Sequence, residues 1–131
     1  MPERAADWFG QAERDLAHAC HAREDGDHEW ACFAAQQAAE KAVKAVILAH
    51  GGEPWGHSVL TLVRSLPEEA PAPGEIRDFA RQLDKLYVPT RHPNGFDQGK
   101  PGDYFTETDA ALANEQAEAV LGFCRCQLSR P

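Results

Sequence analysis

The sequence predicts an all-α fold, an antiparallel up-and-down bundle of about five helices in one domain covering residues 1–131. Three observations predict it. Apolar residues recur at three- and four-residue steps over long stretches, the spacing that places them on one helix face. Glycine and proline fall where those stretches end. No run alternates apolar with polar residues as a half-buried strand would. With 131 residues, 43% of them hydrophobic, the chain can build one continuous core and is too apolar for disorder.

The first segment runs from about Glu3 to Asp25, with Ala5, Trp8, Ala12, Leu16 and Ala19 on one face. Asp25-Gly26-Asp27 ends it, and Asp27 is placed to cap the next helix. The second segment runs from about His28 to His50. Its stripe of Trp30, Ala34, Ala38, Ala42, Ala45 and Ala49 admits close neighbours and marks it as the central helix. Gly51-Gly52 and Pro54 stop it. A short third segment, Ser58 to Leu66, carries Val59, Leu62, Val63 and Leu66 on one side and ends at Pro67. Glu68 to Gly74 is a linker. The fourth segment, Pro73 to Tyr87, presents Ile76, Phe79, Ala80, Leu83, Leu86 and Tyr87. A long polar loop from Val88 to about Phe105 contains three prolines and three glycines, and loops of that length are often functional. The fifth segment, Glu107 to Ser129, is capped by Thr106 or Thr108 and repeats Ala110, Ala113, Ala117, Val120, Cys124 and Leu128.

A net charge of −8 disfavours generic coating of nucleic acid, since an acidic chain repels a phosphate backbone at long range. It leaves room for a small local basic pocket. No apolar run approaches the roughly 18 to 20 residues that span a bilayer, so no membrane is implied. The polar start Met1-Pro2-Glu3-Arg4 does not read as a signal peptide, and a cytoplasmic location is the expectation. The four cysteines, Cys20, Cys32, Cys124 and Cys126, lie in helical segments and read as buried or partly buried free thiols. Asp15-x-x-His18 and Asp25-x-x-His28 lack a second facing motif, so neither a metal nor another cofactor is expected.

Three places carry candidate chemistry. In Leu83-Asp84-Lys85-Leu86-Tyr87-Val88-Pro89-Thr90-Arg91-His92-Pro93, Arg91 offers a planar fork for phosphate or carboxylate, with Tyr87 or His92 to orient the anion. The ordinary alternative pairs Arg91 with Asp84 or Asp15 and makes it structural. In Gln36-Gln37-Ala38-Ala39-Glu40-Lys41-Ala42-Val43-Lys44, Lys41 or Lys44 could support a phosphate from an interhelical cleft. The ordinary alternative places both lysines on the solvated face, with Glu40 and Lys44 a stabilising pair four residues apart. His57, opening the third segment, is a ligand-binding imidazole or a plain helix-start residue.

Taken together and in this order, Trp8, Ala12, Asp15-Leu16 and Ala19, the stretch Ala31 to Ala45, His57-Ser58-Val59 with Leu62, and Tyr87 to Pro93 resemble the HEPN domain family. The resemblance implies a bundle of about five helices, a homodimer, and a minimal nucleotidyltransferase as protein partner, often in a toxin–antitoxin pair. It also implies nucleotide or RNA phosphate as ligand, contacted by Arg91 with Tyr87, Asp84, Lys41, Lys44 and His57 nearby. Many members are metal-independent RNases built on an Arg followed by a His four to six residues on. This chain has Phe96 and Asp97 in that region and no such His. The leading expectation is therefore a binding module. The alternatives are an RNase using Arg91 with His92 or His57, and an oligomer that binds no ligand.

Overall fold

The computed structural model describes residues 3–130. Six helices follow one another: α1 (Glu3–Glu24), α2 (His28–Ala49), α3 (Val59–Arg64), α4 (Gly74–Asp84), α5 (Pro101–Tyr104) and α6 (Glu107–Leu128), with a 3-10 turn at Pro93–Gly95. No strand occurs among the described residues. The long polar loop thus holds two short helical pieces that no periodicity announced.

Helix α2 is the axis of the molecule and packs against α1, α3, α4, α5 and α6. Small residues allow this. Ala31, Ala35, Ala38, Ala39, Ala42 and Ala45 are fully buried, so neighbouring backbones approach closely. Larger side chains fill the remaining space, among them Val43, Val46, Leu62, Leu83, Val120 and Leu121, each contributing about 2 kcal/mol by burial. The buried stripe is displaced from the one the sequence predicts. Ala31 continues it, whereas Trp30 lies about 100° further round the helix and stays 49% exposed.

The helix ends obey local chemistry. Gly26 and Gly51 adopt φ of +83° and +82°, the left-handed conformation that closes a helix, after α1 and α2. Asp27 does not cap α2 through its side chain. Its backbone (φ −86°, ψ 67°) departs from the extended form in which a capping side chain reaches back to the first amides. Thr106 does cap α6, accepting from the Asp109 amide while Asp109 accepts from that of Thr106. Gly102 of α5 lies against the first turn of α2, beside the Glu29 carboxylate.

The cysteines divide. Cys32 and Cys124 are buried, but Cys20 and Cys126 are exposed, each falling just off the apolar stripe of its helix. Burial, with Asp109 and Glu29 nearby, pushes the Cys32 thiol up to about 12. No described helix is long and apolar enough to cross a membrane.

Candidate functional site

One edge of α2 departs from its alanine-rich surroundings. Gln36, Gln37, Glu40 and Lys44 recur at helical spacing, and Gln36, Glu40 and Lys44 are buried. Burying such groups is tolerable only when they satisfy one another. Four side chains converge on the Glu40 carboxylate: Gln36 Nε2 and Gln37 Nε2, each at 3.4 Å, Lys44 Nζ at 3.2 Å and His57 Nδ1 at 3.3 Å. Gln36 Nε2 also donates to the His57 carbonyl at 3.0 Å, tying the segment before α3 to α2. The expected Glu40–Lys44 pair is therefore present, but Lys44 is not on a solvated face. Its ammonium lies 5.4 Å from the centre of the Trp8 ring.

His57 carries this network to the surface. A carboxylate at Nδ1 favours the ring form that donates there and leaves Nε2 available. The imidazole stacks on Tyr87, with centroids 4.9 Å apart and planes at 17°. Tyr87 lies in the irregular turns after α4, where Thr90 is buried and donates from Oγ1 to the Leu86 carbonyl at 2.6 Å.

Those turns set Arg91. Its Nε donates to the Tyr87 carbonyl at 2.9 Å. Its guanidinium carbon lies 4.3 Å from the centre of the Phe33 ring and 4.6 Å from that of Tyr87. Both contacts are within cation–π range. No carboxylate among the described residues forms an ion pair with Arg91. Neither carboxylate that the sequence offered as a partner pairs with Arg91; both are engaged elsewhere, and the contacts that hold Arg91 to the bundle are the Tyr87 carbonyl and the Phe33 and Tyr87 rings. Asp84 accepts from Ser58 Oγ at 2.8 Å and from the Val59 and Leu60 amides at 2.6 and 3.2 Å, so it joins the N-cap Ser58, which accepts from the Thr61 amide, in capping α3. Asp15 accepts from Lys41 Nζ at 2.5 Å and from Gln11 Nε2 at 2.8 Å.

The sequence-predicted residues thus separate. Arg91, Tyr87 and His57 form one layered cluster, with Lys44 behind His57 through Glu40. Asp84 stands behind the cluster, where it helps to cap α3. Lys41 lies in the adjoining groove between α1 and α2, about 270 Å³ in volume and lined by Asp15, His18, Trp30, Phe33, Gln37 and Lys41. His92 is exposed and makes no side-chain hydrogen bond or ring contact among the described residues. Phe33 is a residue of the cluster that the sequence did not single out, and Glu40 was read only as the partner of Lys44. The available signal was a Gln-Gln-x-x-Glu run in an alanine helix, too polar for a face that periodicity marks as buried. Among the described residues no group of three or more His, Cys, Asp or Glu could hold a metal ion.

Comparison with known proteins places this geometry in context. A family model described as HEPN domain matches residues 5–127. TT1696 from Thermus thermophilus, known from a crystal structure, is 42% identical, with a TM-score of 0.94 over 96% of this chain and 99% of that one. ST0689, an archaeal HEPN homologue, is 40% identical, with a TM-score of 0.83 over 98% and 100% of the two chains. An HEPN domain protein from Thermotoga maritima is 36% identical, with a TM-score of 0.78 over 95% and 99%. No curated protein matches the chain.

Proposed function

The chain belongs to the HEPN domain family, and from that premise we propose that it is a non-catalytic binding module reading phosphate through Arg91. The single observation that carries this reading is the state of that guanidinium. It is oriented by the Tyr87 carbonyl, stacked on Phe33 and Tyr87, and paired with no carboxylate among the described residues. A pre-oriented fork of this kind matches a phosphate's paired oxygens and loses little freedom on binding. The ligand class is a nucleotide or an RNA phosphate. The protein partner is a minimal nucleotidyltransferase, by likeness to the family's usual associations, and the assembly is a homodimer.

Isothermal titration with nucleoside monophosphates and a short RNA tests the ligand. Wild type is expected to bind and Arg91→Ala to lose at least about tenfold in affinity, or roughly 1.4 kcal/mol. Silence of the wild type toward every phosphate compound, together with a tight dimer in light scattering, would instead favour an oligomer without a ligand. Co-purification with the product of the adjacent reading frame tests the protein partner, and an unrelated neighbour that forms no complex removes it.

The Glu40–His57 contact favours a second reading. An imidazole held at Nδ1 by a carboxylate is the usual arrangement of a general base. His57 and Arg91 both contact Tyr87. On this reading RNA is cleaved in the presence of EDTA, and His57→Ala and Arg91→Ala each abolish cleavage. RNA left intact after prolonged incubation excludes it.

A further inference from the structure

The groove between α1 and α2 shares a wall with the Arg91 site. Phe33 lines the groove and also lies beneath the guanidinium, 4.3 Å from its central carbon. Trp30 stands nearly perpendicular to Phe33, with centroids 6.3 Å apart and planes at 79°. At 49% exposed, the indole leaves much of its surface uncovered. Rings set at such an angle can hold a planar ligand stacked on one and edge-on to the other.

The groove offers donors in Lys41, the Trp30 indole N–H and His18, and two acceptors, Gln37 and Asp15, that have capacity to spare. Gln37 commits Nε2 to Gln36 Oε1 at 2.8 Å, and its own Oε1 takes no hydrogen bond among the described residues. The Asp15 carboxylate accepts one donor on each oxygen, from Gln11 and Lys41, which leaves further lone pairs on both. Lys41 offsets the Asp15 charge, so an anionic ligand meets less repulsion here than the net charge of −8 implies.

We propose that this groove is a nucleobase subsite taking a purine against Trp30, with the phosphate of the same nucleotide on Arg91. The inference rests on the phosphate-binding role of Arg91 and adds the base to it. A carboxylate and an amide oxygen favour the base edge with two adjacent N–H donors, so guanine binds more tightly than adenine.

Equilibrium titration separates the two halves. Pyrophosphate probes Arg91 alone, while guanosine and adenosine monophosphates probe both subsites. In wild type, guanosine monophosphate is expected to bind at least tenfold more tightly than pyrophosphate and several-fold more tightly than adenosine monophosphate. Trp30→Ala is expected to remove the nucleotide's advantage and leave pyrophosphate affinity unchanged. Trp30→Phe retains a stacking face and restores most of the advantage. Arg91→Ala weakens all three ligands. Trp30 is half exposed, so its replacement leaves the core intact. If Trp30→Ala binds guanosine monophosphate as wild type does while Arg91→Ala does not, the base subsite is overturned and the phosphate site stands. If wild type binds none of the three, both fall.

Discussion

Helix α2 carries two faces built on opposite rules. Toward α1 and α6 it offers alanine, and stability there comes from close approach of helices. Toward the residues before α3, at its border with α1, it offers Gln36, Gln37, Glu40 and Lys44, and stability there comes from mutual satisfaction of polar groups. The first face tolerates no added volume. The second tolerates no missing partner. That contrast separates the scaffold from the candidate site.

The largest expected effect breaks the polar face. Glu40→Ala leaves Lys44 buried without its counter-charge and takes one acceptor from each of Gln36 and Gln37, so it is expected to cost about 3–5 kcal/mol in urea unfolding. Replacing both members, Glu40→Leu with Lys44→Met, is expected to restore most of that stability while still disturbing His57. A double variant as unstable as Glu40→Ala would show that the carboxylate matters for its other contacts instead. The alanine face is tested next. Ala38→Leu forces three extra carbons into a fully buried position and should lower stability by about 1–3 kcal/mol.

Asp84→Ala comes third, at about 1–2 kcal/mol, because it removes the acceptor of the Val59 and Leu60 amides. Thermal unfolding reads that loss, and Asp84→Asn, which keeps an acceptor, should show less of it. Smallest at neutral pH is the contribution of Cys32 on the apolar side of α2. Its folded thiol is raised to about 12 from an ordinary 9.0. The unfolded chain therefore releases that proton first, and stability should be untouched below pH 9 and fall as pH climbs toward 12. Unfolding midpoints across that range should fall less steeply in Cys32→Ala.

The alanine face was legible in the sequence because it depends on one helix's periodicity. Ala38, Ala42 and Ala45 announce it, with the stripe misplaced only at Trp30, where a large apolar residue beside the true line drew the reading off by one position. The polar face was half legible. Arg91, Tyr87 and His57 were found as chemical types, and the Glu40–Lys44 spacing as a pair. Burial of Lys44 was not, since it depends on Trp8 from α1 and His57 from before α3 lying over that edge. Asp84 shows the same limit. Its sequence neighbours make it a plausible partner for Arg91, but the amides that claim it are 25 and 24 residues away in the chain.

The capping of α3 by Asp84 has a consequence for motion. Asp84, the Gln36–His57 carbonyl bond and the His57–Tyr87 stack all lie across one seam, where α3 and the end of α4 meet the axis helix. Amides of α3 are expected to exchange with solvent through local opening of that seam, well before those of α2 exchange through global unfolding. Each such opening would disperse the Arg91 cluster without melting the bundle. Ligand occupancy should therefore register as slowed deuterium uptake at Val59 and Leu60, a readout that needs neither turnover nor a chromophore.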